Sequence, residues 1–103
     1  MKNTVLNKKC IVRGDRSGVF FGKIVNISDD FKVVEIANCR RIWYWAGADS
    51  CSDLAIGGVT RPENCRFTKS VERLVISDAI EINVCTDKAI QNLEAVPEWT
   101  LQG

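Results

Sequence analysis

Apolar residues recur at every second position in several stretches of this chain, and at helical spacing near its end. From Val19 to Ile27, Val19, Phe21, Lys23, Val25 and Ile27 fall on one face, with Phe20, Gly22 and Ile24 on the other. Both faces are partly apolar, the pattern of a curved sheet or small barrel, and Gly22 marks a candidate bend or bulge. Cys10 to Arg13 reads as a short strand stopped by Gly14-Asp15-Arg16-Ser17-Gly18, a turn signal. After Ser28-Asp29-Asp30, the run Phe31 to Asn38 alternates again, with Val34 and Ile36 as its apolar middle. It pairs with Val19–Ile27 as a hairpin and continues through Arg40-Arg41-Ile42-Trp43. Val71–Ile76 and Ala79–Cys85 read as a further strand pair split by Ser77-Asp78, with Ile80, Ile82 and Val84 as the buried face of the second.

Two helices are expected. Ser50 followed by Asp53 resembles a capping box, and Gly57-Gly58 stops a helix of about two turns. Thr86 caps a second over Asp87–Ala95, where Ala89, Ile90, Leu93 and Val96 form one apolar stripe and Pro97 ends it. Trp99 then folds back onto the body or meets a neighbouring subunit. Val59 to Lys69 reads as a connector, and residues 1–8 as a loose polar lead-in. The fold class is α+β: a small antiparallel, barrel-like sheet of about five strands with two short helices, in a single domain over residues 1–103.

Composition narrows the function. With 46% apolar and 26% charged residues the 103-residue chain is ordinary globular material. A net charge of +1 argues against a protein that grips duplex DNA through phosphates, so any anion site must be local. The N-terminal residues have no apolar run of the signal-peptide kind, and no segment approaches the ~18 apolar residues of a membrane span. Five cysteines, an odd number without a close pair, read as reduced and mostly buried thiols. The absence of histidine removes any His-based triad and the commonest zinc ligand. No metal, cofactor or catalytic residue is expected.

The candidate chemistry lies in Arg40-Arg41-Ile42-Trp43-Tyr44-Trp45-Ala46-Gly47-Ala48. Arginine offers a planar, permanently charged fork for phosphate, and Trp and Tyr offer faces on which a base stacks. Neighbouring strand residues point to opposite faces, so only one of Arg40 and Arg41 enters a given pocket. Gly47 to Ser52 precedes a helix start, where backbone N–H groups and the Ser50 and Ser52 hydroxyls could hold an anion. Arg16, in the first turn, is placed to reach a pocket rim. The expected ligand-binding set is therefore Arg16, Arg40, Arg41, Trp43, Tyr44, Trp45, Gly47, Ala48, Ser50 and Ser52, converging on one hollow upstream of the first helix.

The run Asn38 to Leu54, with Gly18-Val19-Phe20-Phe21-Gly22, Ala79-Ile80-Glu81-Ile82 and Val96-Pro97-Glu98-Trp99, resembles a family of small proteins from tailed phages and prophages. The resemblance implies a single domain of phage origin working in the host bacterial cytoplasm, and it carries over no catalytic residues. By class-level analogy, phage proteins of this size include sponges that bind nucleotide signals of the Thoeris and CBASS defences without cleaving them. The expected function is thus non-enzymatic sequestration of a small phosphorylated, nucleotide-derived host immune signal by a homo-oligomer. The alternative is a protein–protein inhibitor or accessory factor that docks on a host defence or phage replication protein through its Arg/Trp/Tyr surface.

Overall fold

A computed structural model describes residues 1–99. The strands are β1 (Lys9–Gly14), β2 (Val19–Ile27), β3 (Val34–Tyr44), β4 (Arg66–Phe67), β5 (Val71–Ile76) and β6 (Ala79–Val84), and the helices are α1 (Cys51–Gly57) and α2 (Asp87–Glu94). All ladders between strands are antiparallel, in the order β4-β3-β2-β1-β6, with β5 also on β3. The α+β class, the antiparallel sheet and the two helices are as the periodicity predicts, and the sheet bends without closing into a barrel. The sixth strand, β4, is only two residues long, too short to alternate, and it lies inside the expected connector.

The curvature follows from irregularities in the β2–β3 ladder. Opposite Gly22, the pairing passes from Phe21–Arg40 to Lys23–Ala37, so Asn38 and Cys39 of β3 together face one residue of β2. Asn38 absorbs the extra residue with φ of 49°. The glycine is required by space: a Cβ there would lie 2.5 Å from Ile36 Cγ2 and 2.9 Å from the Ala37 carbonyl oxygen. A second shift between Ile24 and Asn26 moves Ile27 off the face expected for it and into the same cluster as Phe20 and Ile24. Bulges of this kind bend a strand and increase its twist.

Both faces of the sheet are consequently buried. On one, Ile11, Phe21, Ile42 and Phe67 meet Leu54 and Ala55 of α1 and Ala89 and Leu93 of α2. On the other, Val12, Phe20, Ile24, Val34 and Ile36 are closed over by Ile76, Ala79 and Val5. Val5 corrects the expectation of a loose lead-in. It is buried, and the Asn7 N–H donates to the Ile24 carbonyl (2.7 Å) while the Ile24 N–H donates to that of Lys8 (3.1 Å). The segment has an apolar residue to bury and a free sheet edge to bond, which its polar composition conceals.

β5 and β6 depart from expectation as well. They form no hairpin with each other: β5 lies along β3 and β6 along β1, on opposite sides of the three-strand centre. Ser77-Asp78 lacks the glycine that a tight two-residue hairpin favours. Instead the Asp78 carboxylate accepts bonds from Ser17 Oγ (2.6 Å) and from the Arg16 and Ser17 N–H groups (2.8 and 2.9 Å), steering the chain across the end of the sheet. These donors, the Ser17 hydroxyl first, hold the Asp78 carboxyl below its ordinary range. A depressed carboxylate stabilises the fold above the unfolded pKa, near ~3.9, and that contribution disappears as pH falls through the folded value. Asp78→Asn is therefore expected to lower Tm at neutral pH and to flatten the decline in Tm below about pH 4, as thermal melts across pH would show. The predicted inner face of β6 is also corrected: Ile80 is 57% exposed and Val84 40%, because β6 lies at the sheet edge, beside an open hollow that Val5, Phe31 and Lys32 line without filling.

Candidate functional site

The bulge at Asn38 sets the phase of everything after it in β3. Arg40 and Ile42 face the helices, and Arg41 faces the opposite layer. Arg40 is only 8% exposed. Its guanidinium lies over the Phe67 ring at 5.0 Å, Nε donates to the Thr68 carbonyl (3.1 Å), and Nη1 donates to the Leu93 carbonyl on α2 (3.2 Å). Nη2 is buried without a partner. Burial pushes the Arg40 pKa down, partly offset by the carboxylate of Glu98. Arg40 is a clamp between β3, β4 and α2, and its donors point into protein.

Arg41 is half-buried over the Phe20 ring at 4.7 Å, and its Nη1 donates to the Ser17 carbonyl (2.6 Å). With Arg16, Ser17 and Asp78 it lines an open hollow of about 440 Å³ beside β5. Trp43 is 62% exposed and lines a different hollow, of about 420 Å³, with Thr68, Lys69, Val71 and Trp99. Tyr44, Trp45, Gly47 and Ala48 line a third, of about 560 Å³, with Asp49, Asp53, Arg61 and Lys88. The expected single hollow is therefore three, with Arg40 in none of them. Strand alternation parts Arg40 from Arg41, and the register shift between Ile42 and Tyr44 turns Trp43 away from Arg41.

The loop after β3 is held rather than open. Trp45 is half-buried against the helix-side core, and its Nε1 donates to the Ala48 carbonyl (3.1 Å). Gly47 takes φ of 89°, and a Cβ there would fall 1.9 Å from Thr60 Oγ1. Ser50 caps α1, its Oγ accepting from the Asp53 N–H (3.2 Å), as the sequence pattern indicates. Ser52 is exposed on the first turn of α1 and lines none of the three hollows. The start of α1 is thus occupied with its own cap.

Trp99, Lys69 and Arg66 stand outside the residues expected from sequence. After Pro97 the chain returns to β4: Glu98 bridges Phe67, and the Trp99 N–H donates to the Phe67 carbonyl (2.8 Å). The Trp99 ring then lies 5.5 Å from Trp43, tilted by 40°, with the Arg66 guanidinium 5.0 Å from its centroid. The lone tryptophan beyond the helix-ending proline was a legible signal for Trp99. Lys69 and Arg66 carried none, since the segment holding them has no periodicity.

Burial keeps three of the cysteines protonated and poorly nucleophilic. All five are free thiols, and burial pushes Cys10 and Cys39 up to about 12 and Cys85 up to about 11. Among the described residues no three of His, Cys, Asp and Glu gather as a metal site, and no helix is long and apolar enough to cross a membrane.

With this geometry in place, comparison with protein families matches residues 7–93 to a domain of unknown function, DUF6948. The chain belongs to that family. The DUF6948 span contains the whole arginine–tryptophan strand, α1 and all of α2 but its last residue, and it ends before Trp99. No curated protein and no solved structure matches the chain.

Proposed function

We propose that this protein is a non-enzymatic binder whose binding surface is the Trp43–Trp99 pair, taking a small planar ligand that carries phosphate. The carrying observation is the tilted indole pair at 5.5 Å, which walls a hollow containing Lys69 and Thr68 and has Arg66 against its outer ring. Indole faces accept a nucleobase in any orientation of its edges, and neighbouring ammonium and guanidinium groups neutralise phosphate. The resemblance of the Asn38–Leu54 run to small tailed-phage proteins implies a phage origin and a bacterial cytoplasm, and the separate class-level analogy to phage sponges suggests a nucleotide-derived host immune signal as the ligand and sequestration as the activity.

Isothermal titration with nucleoside mono- and diphosphates and with cyclic dinucleotides tests this. Trp43→Ala and Trp99→Ala should each weaken binding by about 1–3 kcal/mol, roughly 5- to 150-fold. Tm should hold for Trp43→Ala, whose ring is mostly in water, and the ligand should be recovered with unchanged mass. Failure of every nucleotide to bind would overturn the reading. Trp43 at 62% and Tyr44 at 55% exposure also favour a second reading, docking of a macromolecule through an aromatic hot spot. In that case nucleotides are ignored and the tryptophan variants lose a protein partner.

A further inference from the structure

We propose that β6 is the self-association edge of this protein, forming a two-fold dimer by antiparallel pairing of β6 with β6 of a second copy. β6 bonds to β1 on one side; on the other its first residue, Ala79, donates its N–H to the Lys32 carbonyl (3.0 Å), and from Ile80 onward, among the described residues, no strand pairs with it. Its backbone phase is set where the Cys85 N–H donates to the Lys9 carbonyl (3.0 Å). Alternation from Cys85 turns the Asn83 and Glu81 groups toward β1 and leaves those of Ile82 and Val84 directed outward. The same positions carry exposed aliphatic side chains on one face of the strand, Ile80 at 57% and Val84 at 40%, flanking half-buried Ile82. A strand edge with free donors and exposed aliphatics is a template for another strand.

The occupant is a second copy because the sequence Ala79-Ile80-Glu81-Ile82-Asn83-Val84 is complementary to its own reverse. With the two-fold axis through Ile82, that residue faces itself, Ile80 faces Val84, and Glu81 faces Asn83, whose Nδ2 already donates to Glu81 Oε2 of its own strand (2.7 Å), so that each carboxylate meets an amide and not a like charge. Moving the axis to Glu81 sets two carboxylates against each other, which is destabilising. The ladder alternation fits the same axis, since Ile82 offers both its N–H and its carbonyl outward for the reciprocal bonded pair. This edge lies at the opposite end of the strand order from β4, against which Trp99 is held, so the inference does not depend on the ligand reading.

Sedimentation equilibrium of the full chain, joined to amide hydrogen exchange at low and high protein concentration, tests the pairing. The expected result is a monomer–dimer equilibrium in which the Ile82 and Val84 amides gain protection as the dimer fills, while Glu81 and Asn83 are protected throughout. Ile82→Lys should raise the dimer dissociation constant at least ~10-fold, since it sets two ammonium groups face to face at the axis. Val84→Lys, at an already exposed position, repeats the test should Ile82→Lys fail to fold. A chain that stays monomeric at all concentrations overturns the proposal, as does a dimer whose Ile82 amide exchanges freely or that both lysine variants leave intact. Trp43→Ala must leave the dimer unchanged, which separates failure here from failure of the ligand reading.

Discussion

Gly22→Val is expected to lower the unfolding free energy by about 3 kcal/mol, the upper end of what overpacking costs. The new Cβ would sit 2.5 Å from Ile36 Cγ2, 2.9 Å from the Ala37 carbonyl oxygen and 3.2 Å from the Cys39 Cα. Two of those three atoms are backbone, and both belong to the part of β3 that bulges around Gly22, so no side-chain rotation relieves the clash. Separation of β2 from β3 at this point would also loosen the phase that directs Arg40 toward α2 and Arg41 away from it. Because a domain of this size is stable by only about 5–15 kcal/mol in total, the loss is a large share. Urea unfolding followed by tryptophan fluorescence measures it. Gly22→Ala should show the same sign with a smaller shift, and an unchanged midpoint for Gly22→Val would mean that the bulge is not as tight as described.

Arg40→Ala is expected to destabilise by about 2–3 kcal/mol, through lost contact of the long side chain with Phe67 and lost bonds to two carbonyls. Arg40→Met should recover most of that loss. Methionine refills the volume over the ring, removes a desolvated cation, and eliminates the buried Nη2 that has no partner. The Leu93 carbonyl is not orphaned by either change, since the Ala95 N–H also donates to it. Urea midpoints for the three proteins decide the order. Nucleotide affinity adds an independent check: a clamp predicts that Arg40→Met binds as the native chain does, whereas a phosphate ligand predicts lost binding with stability retained.

The two arginines show where sequence reasoning reached its limit at the site. That they part to opposite faces follows from period-two alternation and is correct. Which face meets the helices depends on the extra residue at Asn38, and a bulge of one residue reverses the parity of every position beyond it. Gly22 flagged the bulge, though not the strand that carries it. Clustering of Trp43, Tyr44 and Trp45 with the arginines was inferred from adjacency in the chain, and adjacency on an extended strand is separation in space. The partner that Trp43 did find, Trp99, lies 5.5 Å away in space and beyond the last helix in sequence.

Local patterns were sufficient for what local interactions control. The span of β2, the Ser50 and Thr86 caps, the apolar stripe of α2 and the two-sided burial of the sheet all rest on contacts within a few residues or on simple exclusion of apolar surface from water. Only the tertiary structure decided which strands pair, why β5 and β6 part to different edges, that Val5 closes one layer, and that Arg40 spends its donors on a carbonyl 53 positions away. Strand alternation tells a residue which side it faces but carries no mark of the neighbour it will meet. That choice is made by the whole chain when both sides of a curled sheet must be covered at once.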